Sequence, residues 1–313
     1  MVTTQRHCTQ RHANIAPSSF GFRVRSSEKF KLLRTGGANG MLDVRLESTA
    51  PPARATEALL EWTLKGSPDV SAKLHLDENV YHYWISDAGW YRVDPVGRSI
   101  DIPEGVDDLV REHRLWGVPA LLCAMQRGDF FLHAAAVEFD KGSLLFAAPG
   151  RHGKTTLAMA FHRQGYRVIS EDSACCRLTP APALLPGPAM MRIRPDVFDG
   201  RAPNGTRIAA VYDDRIYLVI DENRRGSDDP VPIQALVLLR ESANGVHLER
   251  MPPHKALPDL WALSFRFPND ADRARCFKQL SGLAASIPVW NLYRPLRLDS
   301  LGPTVDRIVE VFG

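Results

Sequence analysis

Lys154 and Thr155, standing behind Gly150 and Gly153 in the stretch GSLLFAAPGRHGKTT at residues 142–156, are the side chains whose types and spacing point most directly to chemistry. They close a phosphate-binding loop. In such a loop, successive backbone N–H groups and the N-terminus of the following helix surround an oligophosphate. Pro149, Gly150, Arg151, His152 and Gly153 form the turn. Lys154 would reach the β- and γ-phosphates of a nucleotide, and Thr155, followed by Thr156, would present its hydroxyl to Mg²⁺. The usual pattern G-x-x-x-x-G-K-[ST] begins with Gly; here that position is Ala148, a small residue that fits where the backbone is not forced to positive φ.

A second set of groups follows. Glu171 and Asp172 end the run Tyr166-Arg167-Val168-Ile169-Ser170 and are expected at the ligand-binding edge of an open α/β sheet. Phosphoryl transfer to a hydroxyl needs acidic groups to position the metal and to take the acceptor's proton. His133, inside Phe131-Leu132-His133-Ala134-Ala135-Ala136-Val137, is either a core histidine or an imidazole that holds a catalytic carboxylate ionised. Arg192 and Arg194, in MMRIRPD, are candidates for a phosphate or an anionic acceptor, against the blander role of solvated strand charges. A rival acidic site is Asp221-Glu222, which follows the apolar run Ile216–Ile220 in the manner of a Walker B strand and would make the protein an ATPase. Its polar flanks point to an edge hairpin, so Glu171 and Asp172 are the preferred pair.

The elements that must position these groups are legible. Leu144, Leu145 and Phe146 form the apolar run of a buried parallel strand. Leu157, Ala158, Ala160 and Phe161 carry the helix after the loop, and Gly165 stops it. Phe130 to Phe139 reads as a strand returning through Lys141-Gly142. Upstream, alternation and Gly or Pro turns between Met41 and Pro103 indicate an antiparallel meander. Residues 104–126 change to helical spacing, with a break or kink at Pro119 and a stop at Gly128. Downstream lie a Pro-rich stretch at 180–204, apolar strands at Ile216–Ile220 and Ala235–Leu239, a helix from about Pro268 to Ser286, a last strand from Pro288 and a terminal helix near Thr304. Residues 1–40, with Glu28 as their one acidic residue, read as a poorly ordered N-terminus.

The 313 residues suffice for a sizeable core. A formal charge of +3 is too small to make nucleic acid or an anionic membrane the main partner, and no apolar run approaches a membrane span. Cys8, Cys123, Cys175, Cys176 and Cys276 show no zinc or redox spacing, which fits a reducing cytoplasm. Oligomeric state is not legible in the sequence.

The ordered segments LHAAAV at 132–137, LLFAAPGRHGKTTLAMA at 144–160 and GYRVISED at 165–172 resemble the catalytic domain of the HPr kinase/phosphorylase family. They resemble more closely its stand-alone HPr-kinase-related members, some of which accompany lasso-peptide biosynthesis and phosphorylate a precursor-peptide serine. LPGPAMMRIRPD at 185–196, PIQALVLLRE at 232–241 and PVWNLYRPLRLDSL at 288–301 follow in the family's order, and HYWISDAGWYRVD resembles the small N-terminal domain of those relatives. The resemblance implies an α/β fold of the HPr kinase and phosphoenolpyruvate carboxykinase type, with a small β-rich domain at 41–127 and the P-loop kinase domain at 128–313. It implies ATP and Mg²⁺ as cofactors and a serine-type hydroxyl on a peptide or protein as acceptor, with a small hydroxylated molecule as the next choice. Lys154 and Thr155 take the nucleotide and metal roles, Asp172 a further metal role, and His133 matches the histidine that supports the acid. Glu171 stands where the family usually has the first Asp of the pair. The long Gly-rich loop used for the reverse phosphorylase reaction is absent, so that activity is not implied.

Overall fold

Short alternating segments fold the first hundred residues into strands. The computed structural model describes residues 16–36, 40–53, 57–63, 69–212 and 214–313. Nine strands come first: β1 (Ala16–Ser19), β2 (Phe22–Arg25), β3 (Arg34–Gly36), β4 (Gly40–Leu46), β5 (Leu60–Thr63), β6 (Val70–Asp77), β7 (Val80–Ile85), β8 (Gly89–Val93) and β9 (Ser99–Ile102). They form one sheet in the order β3-β1-β2-β4-β9-β8-β7-β6-β5. The β6–β7 hairpin closes through Glu78 and Asn79 at φ 49° and 69°, the left-handed pair that a two-residue turn between twisted strands requires.

The expectation of a poorly ordered stretch through residue 40 is corrected here for residues 16–36, which form β1 to β3; residues 1–15, with Cys8, and 37–39 lie outside the described residues. What holds this segment is long-range. Arg34, 1% exposed, donates from Nε to the Gly187 carbonyl at 2.7 Å, from Nη2 to the carbonyls of Val168 at 2.9 Å and Ile169 at 3.3 Å, and from Nη1 to that of Arg225. Arg34→Met would strand these buried acceptors, and a loss of about 3 kcal/mol or more is expected in chemical denaturation. Arg25→Ala, which removes only an exposed pair with Asp43, should leave stability nearly unchanged. Equal effects would show that the buried fan of hydrogen bonds does not anchor the segment.

The expected kinked helix is two helices, α1 (Asp108–Leu115) and α2 (Val118–Gln126). The Asp107 side chain caps α1 by accepting from Leu109 and Val110, and Pro119 sits in the first turn of α2, where its missing N–H costs nothing. There follow β10 (Phe130–Phe139), β11 (Gly142–Ala147), α3 (Lys154–Arg163), β12 (Arg167–Ser170), β13 (Ser173–Arg177), β14 (Ala183–Leu185), β15 (Met190–Ile193), β16 (Thr206–Tyr212), β17 (Arg215–Ile220), α4 (Glu222–Arg225), β18 (Val231–Glu241), β19 (His247–Met251), α5 (Pro253–Ala262), α6 (Asp270–Ser286), β20 (Val289–Arg294) and α7 (Leu301–Phe312).

In the second sheet β11, β18 and β20 run parallel. β11 and β12 flank β10, both antiparallel to it, so their carboxyl ends emerge at one edge. β11 is buried on both faces, which explains its unbroken apolar run. Leu144 and Phe146 meet Leu157 and Phe161 of α3 and Ile308 of α7, while Leu145 and Ala147 meet the layer containing Leu260 of α5 and Leu280 of α6. The Phe146 and Phe161 rings stack with centroids 5.6 Å apart. A third sheet, β15-β17-β16, lies between the α3 layer and the N-terminal sheet. Leu218 and Ile220 of β17 face the first and Tyr217 and Val219 the second. The N-terminal core thus continues past residue 127 through Phe131, Cys175, Met190 and Tyr217. The result is a mixed α/β architecture of several sheets. Cys123, Cys175, Cys176 and Cys276 are buried and unbridged, and no helix among the described residues is long and apolar enough to cross a membrane.

Candidate active site

The loop after β11 turns through Arg151 at φ 67° and Gly153 at φ 74° before α3 begins at Lys154. Both lie in the left-handed region, and for Arg151 that conformation costs roughly 1 kcal/mol. Gly153 is also confined in space: a Cβ there would stand 2.6 Å from Nη2 of Arg294. Lys154, 6% exposed, folds back to donate to the carbonyls of Ala148 at 2.9 Å and Pro149 at 3.1 Å, spanning the loop. Ala148 itself is buried and keeps negative φ, so a β-carbon is no obstacle at the loop's first position. His152 turns its ring back to the Gly150 carbonyl, at 3.0 Å from Nδ1, and Thr156 sits in the first turn of α3.

Glu171 and Asp172 follow β12 directly, with side chains 9% and 40% exposed. β12 and β13 track the same edge of β10, with Ser170 opposite Ala136 and Ser173 opposite His133. The two acids occupy the break between them. The interruption releases their side chains from the ladder and places them beside the loop. Thr155 Oγ1 donates to Glu171 Oε1 at 2.7 Å. His133 Nε2 is 3.3 Å from Asp172 Oδ1. Arg192 closes the cluster, with Nε 3.5 Å from Glu171 Oε2 and Nη2 donating to Asp172 Oδ2 at 3.2 Å.

Burial pushes the Glu171 carboxyl above its ordinary range, an effect that Arg192 and the Thr155 hydroxyl oppose without reversing. Burial also works against the charge of Asp172, but Arg192, then His133 and Lys154, hold it below the usual range. Burial lowers both His133 and Lys154 while the acids pull them back up. For Arg192, burial opposes the charge and the two carboxylates outweigh it, so it stays firmly protonated. Two carboxyls a few ångströms apart therefore differ in proton affinity, one tuned toward holding a proton and one toward remaining charged.

Hard oxygen donors converge here: the Thr155 hydroxyl and the Glu171 and Asp172 carboxylates. They suit Mg²⁺, which usually takes one or two carboxylates and completes its shell from phosphates and water. No group of three or more His, Cys, Asp or Glu able to hold a metal occurs among the described residues. A cleft of about 280 Å³ opens beside the acids, bounded by Phe20, Tyr83 of β7, Trp116 and Val118 at the α1–α2 junction, and Met190. A larger groove of about 510 Å³, between Gly245–Val246 and α7, contains none of these groups.

Arg194 is not brought to the site. It lies past the end of β15 and pairs with Asp196 at 2.6 Å on the surface. Asp221 and Glu222 are excluded too. β17 is the centre strand of the third sheet, not the edge expected from its polar flanks, and does not pair with β11; Asp221 lies near His162, whose imidazole burial lowers and the Asn204 backbone, and more weakly Asp221, partly restores. His162 is eight residues along α3 from Lys154, about 12 Å from the loop. Arg294 was not singled out from the sequence. It is 3% exposed, donates to the His152 carbonyl at 2.8 Å and has an Nε without a partner among the described residues. Its signal in PVWNLYRP is faint, because a single cation ending an apolar strand is common.

No family model and no curated protein matches this chain. Among solved structures, the HPr(Ser) kinase/phosphatase from Coxiella burnetii is similar over 58% of this chain and 99% of its own, at 11% identity and a TM-score of 0.31.

Proposed function

We propose that this chain is an ATP- and Mg²⁺-dependent kinase that transfers a γ-phosphoryl group to a hydroxyl, of serine type and carried on a peptide or protein, with a small hydroxylated molecule as the alternative acceptor. The observation that carries the reading is the contact of Thr155 with Glu171 at 2.7 Å, which ties the Gly-Lys-Thr loop to a carboxylate pair held by His133 and Arg192. Nucleotide phosphates would lie against the loop amides and the N-terminus of α3, with Lys154 released from the Ala148 and Pro149 carbonyls to meet them. Mg²⁺, when bound, supplies charge neutralisation on the β- and γ-oxygens. One carboxylate accepts the acceptor's proton as its oxygen bonds to Pγ and the bond from Pγ to the β–γ bridging oxygen breaks; ADP departs with that electron pair. Arg192 steadies both acids, and His133 keeps Asp172 charged and oriented.

Thermal denaturation with nucleotide tests this directly. A ligand that binds only the folded chain stabilises it by about 2.7 kcal/mol at a hundred times its Kd. ATP with Mg²⁺ is expected to raise the Tm by several degrees, ATP with a chelator by less, and Thr155→Val should remove the difference between the two. Melting curves that ignore millimolar Mg-ATP would overturn the nucleotide assignment.

A further inference from the structure

The cleft beside the acids has a composition that says what it can hold. Apolar residues, Val118 among them, share its walls with Ser170, Ser173, His113 and two arginines, and Phe20, Tyr83, Trp116 and Met190 are themselves almost fully buried. Both cations that line it are already committed. Arg114 is ion-paired with Asp87, its Nε 3.1 and 3.2 Å from the two carboxylate oxygens, and Arg192 is held by Glu171 and Asp172. The remaining ionisable wall group is His113. Burial holds its imidazole well below the ordinary range, so the ring is neutral, and its Nδ1 has no hydrogen-bond partner among the described residues. The ring stands edge-on to Tyr217, which fixes its plane.

We propose that this cleft is the acceptor pocket, and that it selects an uncharged group attached next to the reacting hydroxyl and rejects an anionic one. The inference rests on the kinase reading above and adds the acceptor's chemical class. Three features carry it. The cleft ends at Glu171 and Asp172, where a hydroxyl must arrive to lose its proton. Its volume of about 280 Å³ suits one large side chain or one small ring compound, not a length of backbone. A carboxylate or phosphate on the acceptor would be desolvated beside two carboxylates without an uncommitted cation on the walls. A neutral group avoids that cost.

The N-terminal sheet thereby acquires a function as the far wall of the site. Tyr83 belongs to β7, Trp116 and Val118 sit at the α1–α2 junction, and all three line the cleft together with Asp172.

The test uses the full chain, Mg-ATP and two series of acceptors. One series is blocked peptides in which serine is flanked by Phe, Leu or Asp; the other is 2-phenylethanol and its ring-carboxylated analogue. The neutral member of whichever series reacts is expected to exceed its acidic counterpart by at least about thirtyfold in kcat/KM, and the reacting series identifies the source of the hydroxyl. Val118→Phe, which fills the cleft, should raise the acceptor KM at least about tenfold while the ATP-induced Tm shift stays as in the wild type. Val118→Leu, the smaller step in case Phe disturbs the start of α2, should move KM in the same direction. An intact ATP shift with no preference for neutral acceptors, no response to either Val118 variant, or no transfer to any member of the two series sinks the pocket assignment alone. Loss of the ATP shift in the wild type would instead sink the kinase reading on which it rests.

Discussion

Glu171→Gln and Asp172→Asn are each expected to lower phosphoryl transfer by at least about a hundredfold, while Asp221→Asn and Glu222→Gln stay within about twofold of wild type. Removing a general base is worth on the order of 10²–10⁴ in rate. An amide can neither take the acceptor's proton nor supply the negative charge that a bound metal needs. Both changes also disturb the pairing of Arg192, which touches each carboxylate. Asp221 and Glu222 lie toward the opposite end of α3, with Glu222 exposed, and nothing about their placement connects them with the loop. The assay is transfer of labelled γ-phosphate to a hydroxyl acceptor, run beside phosphate release without one. Activity that survives at Glu171 and Asp172 but dies at Asp221 and Glu222 would convert the protein into a Walker B ATPase.

The pH profile separates the two acids. The proton acceptor must be ionised, so activity falls as pH drops through its pKa. Burial raises Glu171, and Arg192 chief among its neighbours lowers Asp172. If Glu171 takes the proton, the acidic limb of kcat/KM lies above the ordinary carboxylate range and disappears in Glu171→Gln. If Asp172 takes it, the limb lies below that range and persists in Glu171→Gln, moving lower as Arg192 is left to Asp172 alone. Because the two acids share Arg192, the limb reports the pair, and the variant comparison assigns it.

Lys154→Ala should reduce transfer by about 10²–10³ and weaken Mg-ATP binding at least about tenfold by calorimetric titration. Deleting one preorganised charge from the transition-state environment costs that much in enzymes generally. Here the ammonium is 6% exposed and already drawn down in pKa by burial, an arrangement that water cannot reproduce. Its present partners, the Ala148 and Pro149 carbonyls, are neutral acceptors that a phosphate can displace. The fold should survive, because the aliphatic stem does not anchor the loop alone: Arg294 still holds the His152 carbonyl at 2.8 Å. Wild-type turnover in Lys154→Ala would remove the phosphate-binding role from this loop.

Read from the chain alone, the loop, its preceding strand and its following helix are legible because each is a local pattern. An apolar run buried on both faces, two glycines that admit the turn, and the spacing of Leu157 and Phe161 are all set within about twenty residues. The contact of Glu171 with Thr155 has a different origin, since it depends on β11 and β12 both flanking β10. The break between β12 and β13 that frees the acids was not legible, because it depends on the register of both segments against one partner strand. Arg192 and Arg194 look equivalent in MMRIRPD; only the end of β15 decides that one closes the acid cluster and the other faces solvent. Arg294 is 142 residues from the carbonyl it holds, and Arg34 more than 130 residues from the β12 carbonyls it binds. The cleft beside the acids joins residues from Phe20 to Arg192 through two sheets and a helix junction. Local sequence fixes which residues can do chemistry, since conformational preference and periodicity act over a few positions. Which of them meet is decided by sheet order and packing, because burial and long-range hydrogen bonding depend on neighbours that the chain brings together only when folded.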